Sequence, residues 1–326
     1  MSTTPRSTDR KSFLEIVNAC DNFPVPQQGL QKYIDSIDSF YHFVIPSVNQ
    51  PIGLVVPSVA TAFRGLQDWK LDESSTPKTL ALVAGNDDVS RTAVVEKALH
   101  KFRDEKTFSI LSRWRNELKP VYGPGGGLLF KLDRAAAPIL GVVSYGIHLT
   151  AFTRINDGQI KIWVQKRSQS TAFYPGLLDN TVASSSIPDG QLPVEAAIRE
   201  AGEEASLPED LVRSKIKSCG TLTYMHLRDS LAIGEVGLLQ PQVEYLFELE
   251  LPDGVEPKPC DHEVEWFKLL EVVDLKRSIS QDKVKPGYAV VALDFLIRHG
   301  LLNDQNEPDF VEITTRLHRT LELPVG

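Results

Sequence analysis

Apolar positions along this chain recur at two spacings, and their distribution divides it in two. From Ser12 to Ala19, Phe13, Ile16 and Val17 fall on one face at helical spacing. Val94 to Arg115 interleaves charged and apolar residues at the same period, so both stretches are predicted helices. Between them, His42 to Val56 is apolar and β-branched but broken by Pro46 and Pro51, which predicts short extended pieces. Leu128 to Leu132 reads as a strand. From Ile139 onward the pattern becomes strand–turn–strand. Gly146 to Thr153 and Ile160 to Lys166 flank an Asn156-Asp157-Gly158 turn, with further strands near Ser218 to Tyr224, Val243 to Glu250 and Glu263 to Leu269. Tyr288 to His299 is a closing helix, stopped by Gly300. This order predicts an α/β domain, a mixed sheet with helices packed on it, preceded by a small α+β domain. The expected division is a disordered polar lead over residues 1–10, an N-terminal domain over 11–130 and a second domain with a C-terminal helix over 131–326.

Composition narrows the function classes. The 326 residues carry a formal net charge of -8, which argues against a nucleic-acid backbone as partner, because phosphate neutralisation needs concentrated Lys and Arg. A small phosphorylated substrate stays open, since a divalent metal could neutralise it. Cys20, Cys219 and Cys260 form no CxxC pair, so neither a disulfide framework nor a zinc site is implied. No stretch reaches the roughly 18 apolar residues of a membrane span, and Met1 to Lys11 has no signal-peptide core. The reading is of a soluble, cytoplasmic protein with no membrane partner; oligomeric state is left open.

The segment with chemistry in it is Asp189 to Leu207. Pro193 suits the first turn of a helix, and Val194, Ala197, Ile198, Ala201 and Ala205 then form one apolar stripe. Glu200, Glu203 and Glu204 lie three and four residues apart, so their carboxylates share a neighbouring face and repel one another. Gly202 between them weakens the helix by roughly another 1 kcal/mol. A divalent cation would offset the repulsion, and magnesium, which is hard and takes oxygen ligands, suits this set. Arg199 could hold a carboxylate bidentately and fix the ligand geometry. A solvated acidic face accounts for the same spacing.

Arg199-Glu200-Ala201-Gly202-Glu203-Glu204-Ala205-Ser206-Leu207 resembles the second half of the Nudix box, Arg-Glu-apolar-x-Glu-Glu-x-Gly-apolar, and Gly190 fits the glycine before that box's first glutamate. The resemblance covers about residues 140 to 300 and implies a Nudix α/β/α sandwich. It also implies Mg2+-dependent hydrolysis of an organic diphosphate, with Mn2+ as a substitute, and Glu200, Glu203 and Glu204 as metal ligands. Trp114 to Leu118, Tyr174 to Ala183 and Asp294 to Gly300 are similar to segments of the fungal and plant Nudix proteins described as thiamine pyrophosphokinase-related. Those have an extra N-terminal domain, and some act on oxidised thiamine diphosphate. Three places depart from the box. Ser184 and Ser185 stand for its usual glycines, Gln191 for its first glutamate and Ser206 for its last glycine. Ser206 is expected to cap the next turn, with Glu209 closing a capping box.

A general base is still needed. Glu203 and Glu204 are the box candidates for it, and Glu263 the candidate from a later loop. Arg167, just after a strand, could bind substrate phosphate, and Phe173, Tyr174 and Tyr224 could stack on a planar ring. Lys283 and Lys285 read as a solvated loop, and His226 and His262 have no metal-spaced partner. The Gly-rich stretch Tyr122 to Gly127 reads as a plain turn, because no Gly-Lys-Ser/Thr follows it. An ADP-ribose or NADH pyrophosphatase, a non-hydrolytic diphosphate binder and an isomerase remain as alternatives.

Overall fold

A computed structural model of the chain describes residues 10–326 except 156, 157, 172, 173, 186, 230–233 and 261. Residues 1–9 of the expected lead, Asn156 and Asp157 of the expected turn, and Phe173 therefore lie outside the described residues.

Helix α1 (Phe13–Cys20) begins where Ser12 caps it and Glu15 reaches back to the Ser12 N–H, a complete capping box. After α2 (Leu30–Asp38), the strands β1 (Tyr41–Val44) and β2 (Gly53–Val55), helix α3 (Pro57–Ala62), and strands β3 (Trp69–Asp72) and β4 (Thr79–Leu82) follow. They make a four-stranded sheet in the order β2-β1-β4-β3, parallel only between β1 and β4. Helix α4 (Asp88–Asp104) is displaced from the predicted Val94–Arg115. It starts earlier because Asp87 and Ser90 form a capping box, and it stops at Asp104 as Lys106 takes a left-handed φ of 54°. Ser109–Arg113 then winds into a separate 3-10 turn. Strands β5 (Leu118–Tyr122) and β6 (Leu128–Asp133) form a hairpin. Its Gly-rich tip is a turn in which Gly125 and Gly126 take φ of 76° and 78°, conformations that only glycine adopts freely. Short helix α5 (Ala137–Leu140) ends this unit, whose hydrophobic cluster runs from Tyr41 to Val142 and takes in Leu238.

The second unit contains β7 (Ser144–Arg154), β8 (Ile160–Arg167), β9 (Leu178–Asn180), β10 (Val182–Ser184), α6 (Pro193–Ala205), α7 (Glu209–Lys215), β11 (Lys217–Leu227), β12 (Leu239–Glu250) and β13 (Val264–Glu271). Helices α8 (Val272–Ser280), α9 (Pro286–Arg298) and α10 (Phe310–Arg316) complete it. The seven-stranded sheet runs β11-β12-β7-β8-β13, with β10 on β7 and β9 on β8. Only β7 and β12 pair in parallel, so the sheet is mixed as expected. One face packs on α6 and α7 through Ala196, Ala197, Ala201 and Ala205. The other packs on α8, α9 and α10. The result is an α/β/α sandwich.

Helix α1 joins this second core, not the first: Ile16, Val17 and Cys20 cluster with α9 residues. Just after it, the buried Asp21 accepts hydrogen bonds from Arg316, Arg319 and the Met225 N–H. These bonds tie the end of α1 to the end of α10, the segment after it and the C-terminal end of β11.

Candidate active site

Pro193 opens α6, and the small side chains Ala196, Ala197 and Ala201 let the helix lie close on the sheet. This close seating carries Glu200 into a buried position, 7 % exposed, while Glu203 stays exposed and Glu204 is half-buried. Arg199 donates to Glu200 at 2.7 Å and to Glu203 at 2.6 Å, so its guanidinium bridges two carboxylates where a bidentate hold on one was expected. Ser184 Oγ donates to Glu200 at 2.9 Å, and the Ala183 N–H donates to Glu204 at 3.3 Å, so β10 orients both carboxylates. Burial, against the Arg199 cation, raises the Glu200 carboxyl above its ordinary range. Burial and then repulsion from Glu200 raise Glu204 well above its own.

These residues line a cavity of about 600 Å³ between the two units. Its second wall comes from the N-terminal unit and carries Arg113, Arg115, Lys119 and Arg134. Arg134 donates to Ser185 at 3.0 Å, and Lys131 pairs with Asp189 at 2.6 Å, so both anchor the loop that leads into α6. Gly190 in that loop has φ 75°, the left-handed conformation its place in the motif requires. Gln191 also faces the cavity, and its buried Oε1 accepts no hydrogen bond among the described residues.

The predicted substrate residues converge here as well. Arg167 donates to the fully buried Asp179 at 3.0 Å, and Lys285 donates to the same oxygen at 2.9 Å. Lys285 is thus no solvated loop residue: as the residue preceding α9 it is held in the cavity wall by a buried carboxylate, whereas Lys283 is exposed. Tyr174, half-buried with a left-handed φ of 47°, lines the cavity. Tyr224 is buried and donates to Glu244 at 3.1 Å. Glu263, just before β13, lines the same cavity and is exposed.

Ser206 does not cap the following helix. It ends α6 in the left-handed region, φ 53°, with its N–H on Gly202, while Pro208 precedes α7 and Glu209 bonds Arg213. The residue after a helix is where a left-handed conformation satisfies the last carbonyls, and this geometric demand outweighs the capping preference of serine.

Several site residues carried no motif. Glu244 is 5 % exposed and burial pushes it up to about 7, against Lys285, Tyr224 and Gln242. Gly146 faces it, and any Cβ there would collide with the Glu244 carboxylate. His148, also buried, is held down to about 3 by desolvation and then by Lys285. The signal was present in the strands: Tyr224-Met225-His226-Leu227-Arg228 and Gln240-Pro241-Gln242-Val243-Glu244 place a polar residue at every second position. Such alternation reads as a solvent face, and here α1 and α9 pack on it, with Tyr224 against Cys20 and Tyr288, and His226 on the Cys20 carbonyl.

The oxygen donors of α6 fit a hard divalent cation. Among the described residues no three acidic, His or Cys side chains close into a ready-made ligand cluster. Magnesium commonly takes only one or two carboxylates and completes its shell with substrate phosphate and water. Glu200 and Glu204, both raised by burial and Glu204 further by its neighbour, are in the electrostatic state that such a cation relieves.

Residues 146–288 match the NUDIX domain model, and residues 13–144 match a domain of unknown function, DUF4743. An uncharacterised protein of Saccharomyces cerevisiae is 28% identical over 96% of this chain and 92% of its own length. Nudix hydrolase 24, chloroplastic, of Arabidopsis thaliana is 29% identical over 95% of this chain and 79% of its own. Among solved structures, the M. Smegmatis Nudix hydrolase RenU aligns over 49% of this chain and 88% of that one, at 15% identity and a TM-score of 0.35. The chain carries a Nudix domain behind a DUF4743 domain, with plant Nudix hydrolases as homologues. The second unit is therefore a Nudix hydrolase domain, the fold and enzyme class that the acidic helix and its neighbours indicated. Among the described residues no helix is long and apolar enough to cross a membrane.

Proposed function

We propose that this protein is a magnesium-dependent hydrolase of organic diphosphates, with thiamine diphosphate or its oxidised forms as the leading substrates. The observation that carries this reading is a single cavity with the α6 carboxylates on one wall and two cations, Arg167 and Lys285, fixed by the buried Asp179. Glu200, Glu203 and Glu204 would hold the metal. When bound, the ion neutralises charge, templates the diphosphate and lowers the pKa of an attacking water. Arg167 and Lys285 bind diphosphate oxygens, their shared carboxylate keeping both side chains in place. Arg199 holds Glu200 and Glu203, and Ser184 orients Glu200. Glu204 or Glu263 serves as base to the water. Likeness to the fungal and plant thiamine-related segments is what selects thiamine diphosphate, and ADP-ribose and NADH are the alternatives.

A second reading has its own observation. Glu244, raised to about 7 and bonded to Tyr224, is a buried acid poised to give or take a proton near neutrality. The isopentenyl-diphosphate Delta-isomerase of Rhodobacter capsulatus is 30% identical over 37% of this chain and 64% of its own length. An isomerase would return its substrate with the diphosphate intact.

Phosphate release and product mass, measured for thiamine diphosphate, its oxidised forms, ADP-ribose, NADH and isopentenyl diphosphate with and without Mg2+, separate the readings. Metal-dependent cleavage of the diphosphate of at least one heterocyclic ester is expected, as phosphate release from a terminal diphosphate or as two phosphomonoesters from ADP-ribose or NADH, with Glu204→Gln at least about 100-fold slower. No cleavage of any of them by folded protein, or unchanged turnover in Glu204→Gln, would overturn the hydrolase assignment.

A further inference from the structure

The floor of the cavity is a patch of polar side chains on the β11–β12 face. Tyr224 pairs with Gln242 and His226 with Gln240 across the two strands, so these side chains and Glu244 share one side of the sheet, and all line the cavity. Glu244 lies at the metal end, beside Gly146 and Ser184. Each two-residue step along the strands moves roughly 7 Å away from it, first to Tyr224 and Gln242, then to His226 and Gln240.

Two buried atoms of this floor are hydrogen-bond acceptors without a donor among the described residues. His226 Nδ1 lies 3.0 Å from the Cys20 carbonyl, which can only accept, so Nδ1 carries the ring proton. Burial disfavours the imidazolium, and Nε2 is left as an acceptor with no partner. Gln242 is 5 % exposed; its Nε2 donates to Glu244 at 3.1 Å, which turns Oε1 away, and that oxygen is also without a partner. Arg228 donates to Gln240 at 2.9 Å. Tyr174 also lines the cavity, and its hydroxyl feels the charges of Asp229, Cys20 and Arg228, groups at this same end.

We infer that the end of the cavity bounded by His226, Gln242 and Tyr174 is the recognition site for a planar nitrogen heterocycle carrying N–H donors, an exocyclic amine or a lactam N–H. This is the group at the far end of the diphosphate ester, and the inference rests on the diphosphate reading of the α6 end. Hydrogen-bonded acceptors reject ligands lacking the matching donor far more strongly than an apolar pocket rejects a changed shape, because the buried acceptors stay unpaired. The site therefore selects the heterocycle and excludes alkyl diphosphates.

Dissociation constants for ADP, thiamine diphosphate and isopentenyl diphosphate, measured by calorimetry on the full chain in EDTA, test this without turnover. At least one heterocyclic diphosphate is expected to bind about 10-fold or more tightly than isopentenyl diphosphate. Gln242→Leu and His226→Phe should each remove about 10-fold of that heterocycle's affinity. Equal binding of all three by the wild-type protein overturns the inference, and that comparison needs no variant to fold. Wild-type affinity in either variant, with a native thermal transition, overturns it as well. Discrimination in EDTA combined with no phosphate release in Mg2+ would uphold this site and sink the hydrolase reading. Phosphate release at equal kcat/KM from all three would do the reverse.

Discussion

The two walls of the cavity differ in charge and in how the chain supplies them. The α6 wall presents carboxylates drawn from one helix turn, Glu200, Glu203 and Glu204, arranged by local geometry. The facing wall presents Arg113, Arg115, Lys119 and Arg134 of another unit, drawn from the 3-10 turn and the loop after it, from β5 and from the residue that follows β6. One wall suits a metal and the other suits substrate anions. A bare Nudix domain would possess only the first. The contact between them is direct, because Arg134 bonds the serine that replaces a box glycine. An altered motif position here has become a docking point for the added domain.

The largest expected effect comes from removing what keeps two cations on the acidic side. Asp179→Ala removes the buried carboxylate that Arg167 and Lys285, 15% and 24% exposed, both bond. Breaking a buried ion pair from one side costs roughly 3–5 kcal/mol, which chemical denaturation would read as a lower midpoint. An unchanged midpoint would show that Asp179 is not needed to hold this wall together.

Glu244→Gln gives the next effect, and its sign depends on pH. The wild-type carboxyl titrates near 7 when folded against 4.5 ordinarily, so the folded state binds its proton more tightly. That contribution is fully favourable below 4.5 and is lost as pH rises to 7, on the order of 3 kcal/mol in all. His148 works the other way: held near 3 against 6.5, it stabilises above 6.5 and its contribution fades as pH falls toward 3. The two offset each other between 4.5 and 6.5 in the wild type. In metal-free buffer the variant should lose stability on acidification below 6.5 more steeply than wild type, and gain relative to it near pH 8. Parallel stability curves would remove Glu244 as a buried acid.

The contrast between the walls also explains what could be read from the residues alone. The acidic helix was legible because i, i+3 and i+4 spacing is a local property, and Pro193, the alanine stripe and Arg199 all agreed with it. The mixed sheet was legible from alternation, with strand ends displaced by a few residues. The second wall was not, because it depends on the added unit meeting the Nudix unit across the cavity, and the polar β11–β12 face becomes a cavity floor only once α1 and α9 pack on it, both long-range facts. Lys285 was misread for the same reason. Its buried partner Asp179 lies 106 positions away in the chain, and nothing near Lys285 announces it. The Ser206 misreading was of a different kind: the residue type was weighed correctly for a cap, but the helix end imposed a left-handed backbone first.

Arg134→Ala severs the contact between the walls. With Arg134 removed, Ser185 loses a hydrogen bond and the substrate side loses one of its cations, so KM should rise about 10-fold with a smaller change in kcat. Ser185→Ala removes only the contact. A double-mutant cycle should give a coupling of about 1 kcal/mol if Arg134 acts on the loop through Ser185. Coupling near zero would mean that the added domain contributes charge to the cavity without positioning the loop.

The smallest effect tests whether α6 ends under strain. Ser206 holds φ 53° and ψ 30° as a non-glycine residue, and its N–H and that of Leu207 satisfy the carbonyls of Gly202 and Ala201. Ser206→Gly keeps both backbone bonds and relieves the steric cost of a Cβ in the left-handed region, while the unfolded chain gains freedom that partly cancels the benefit. The net change should be a stabilisation of about 0.5–1 kcal/mol, visible as a small rise in Tm. Because the substitution lies outside the cavity, metal-dependent turnover should stay within about twofold of wild type. A loss of activity without a loss of stability would instead tie the exact pitch of the last turn, and thus the placing of Glu203 and Glu204, to the serine at its end.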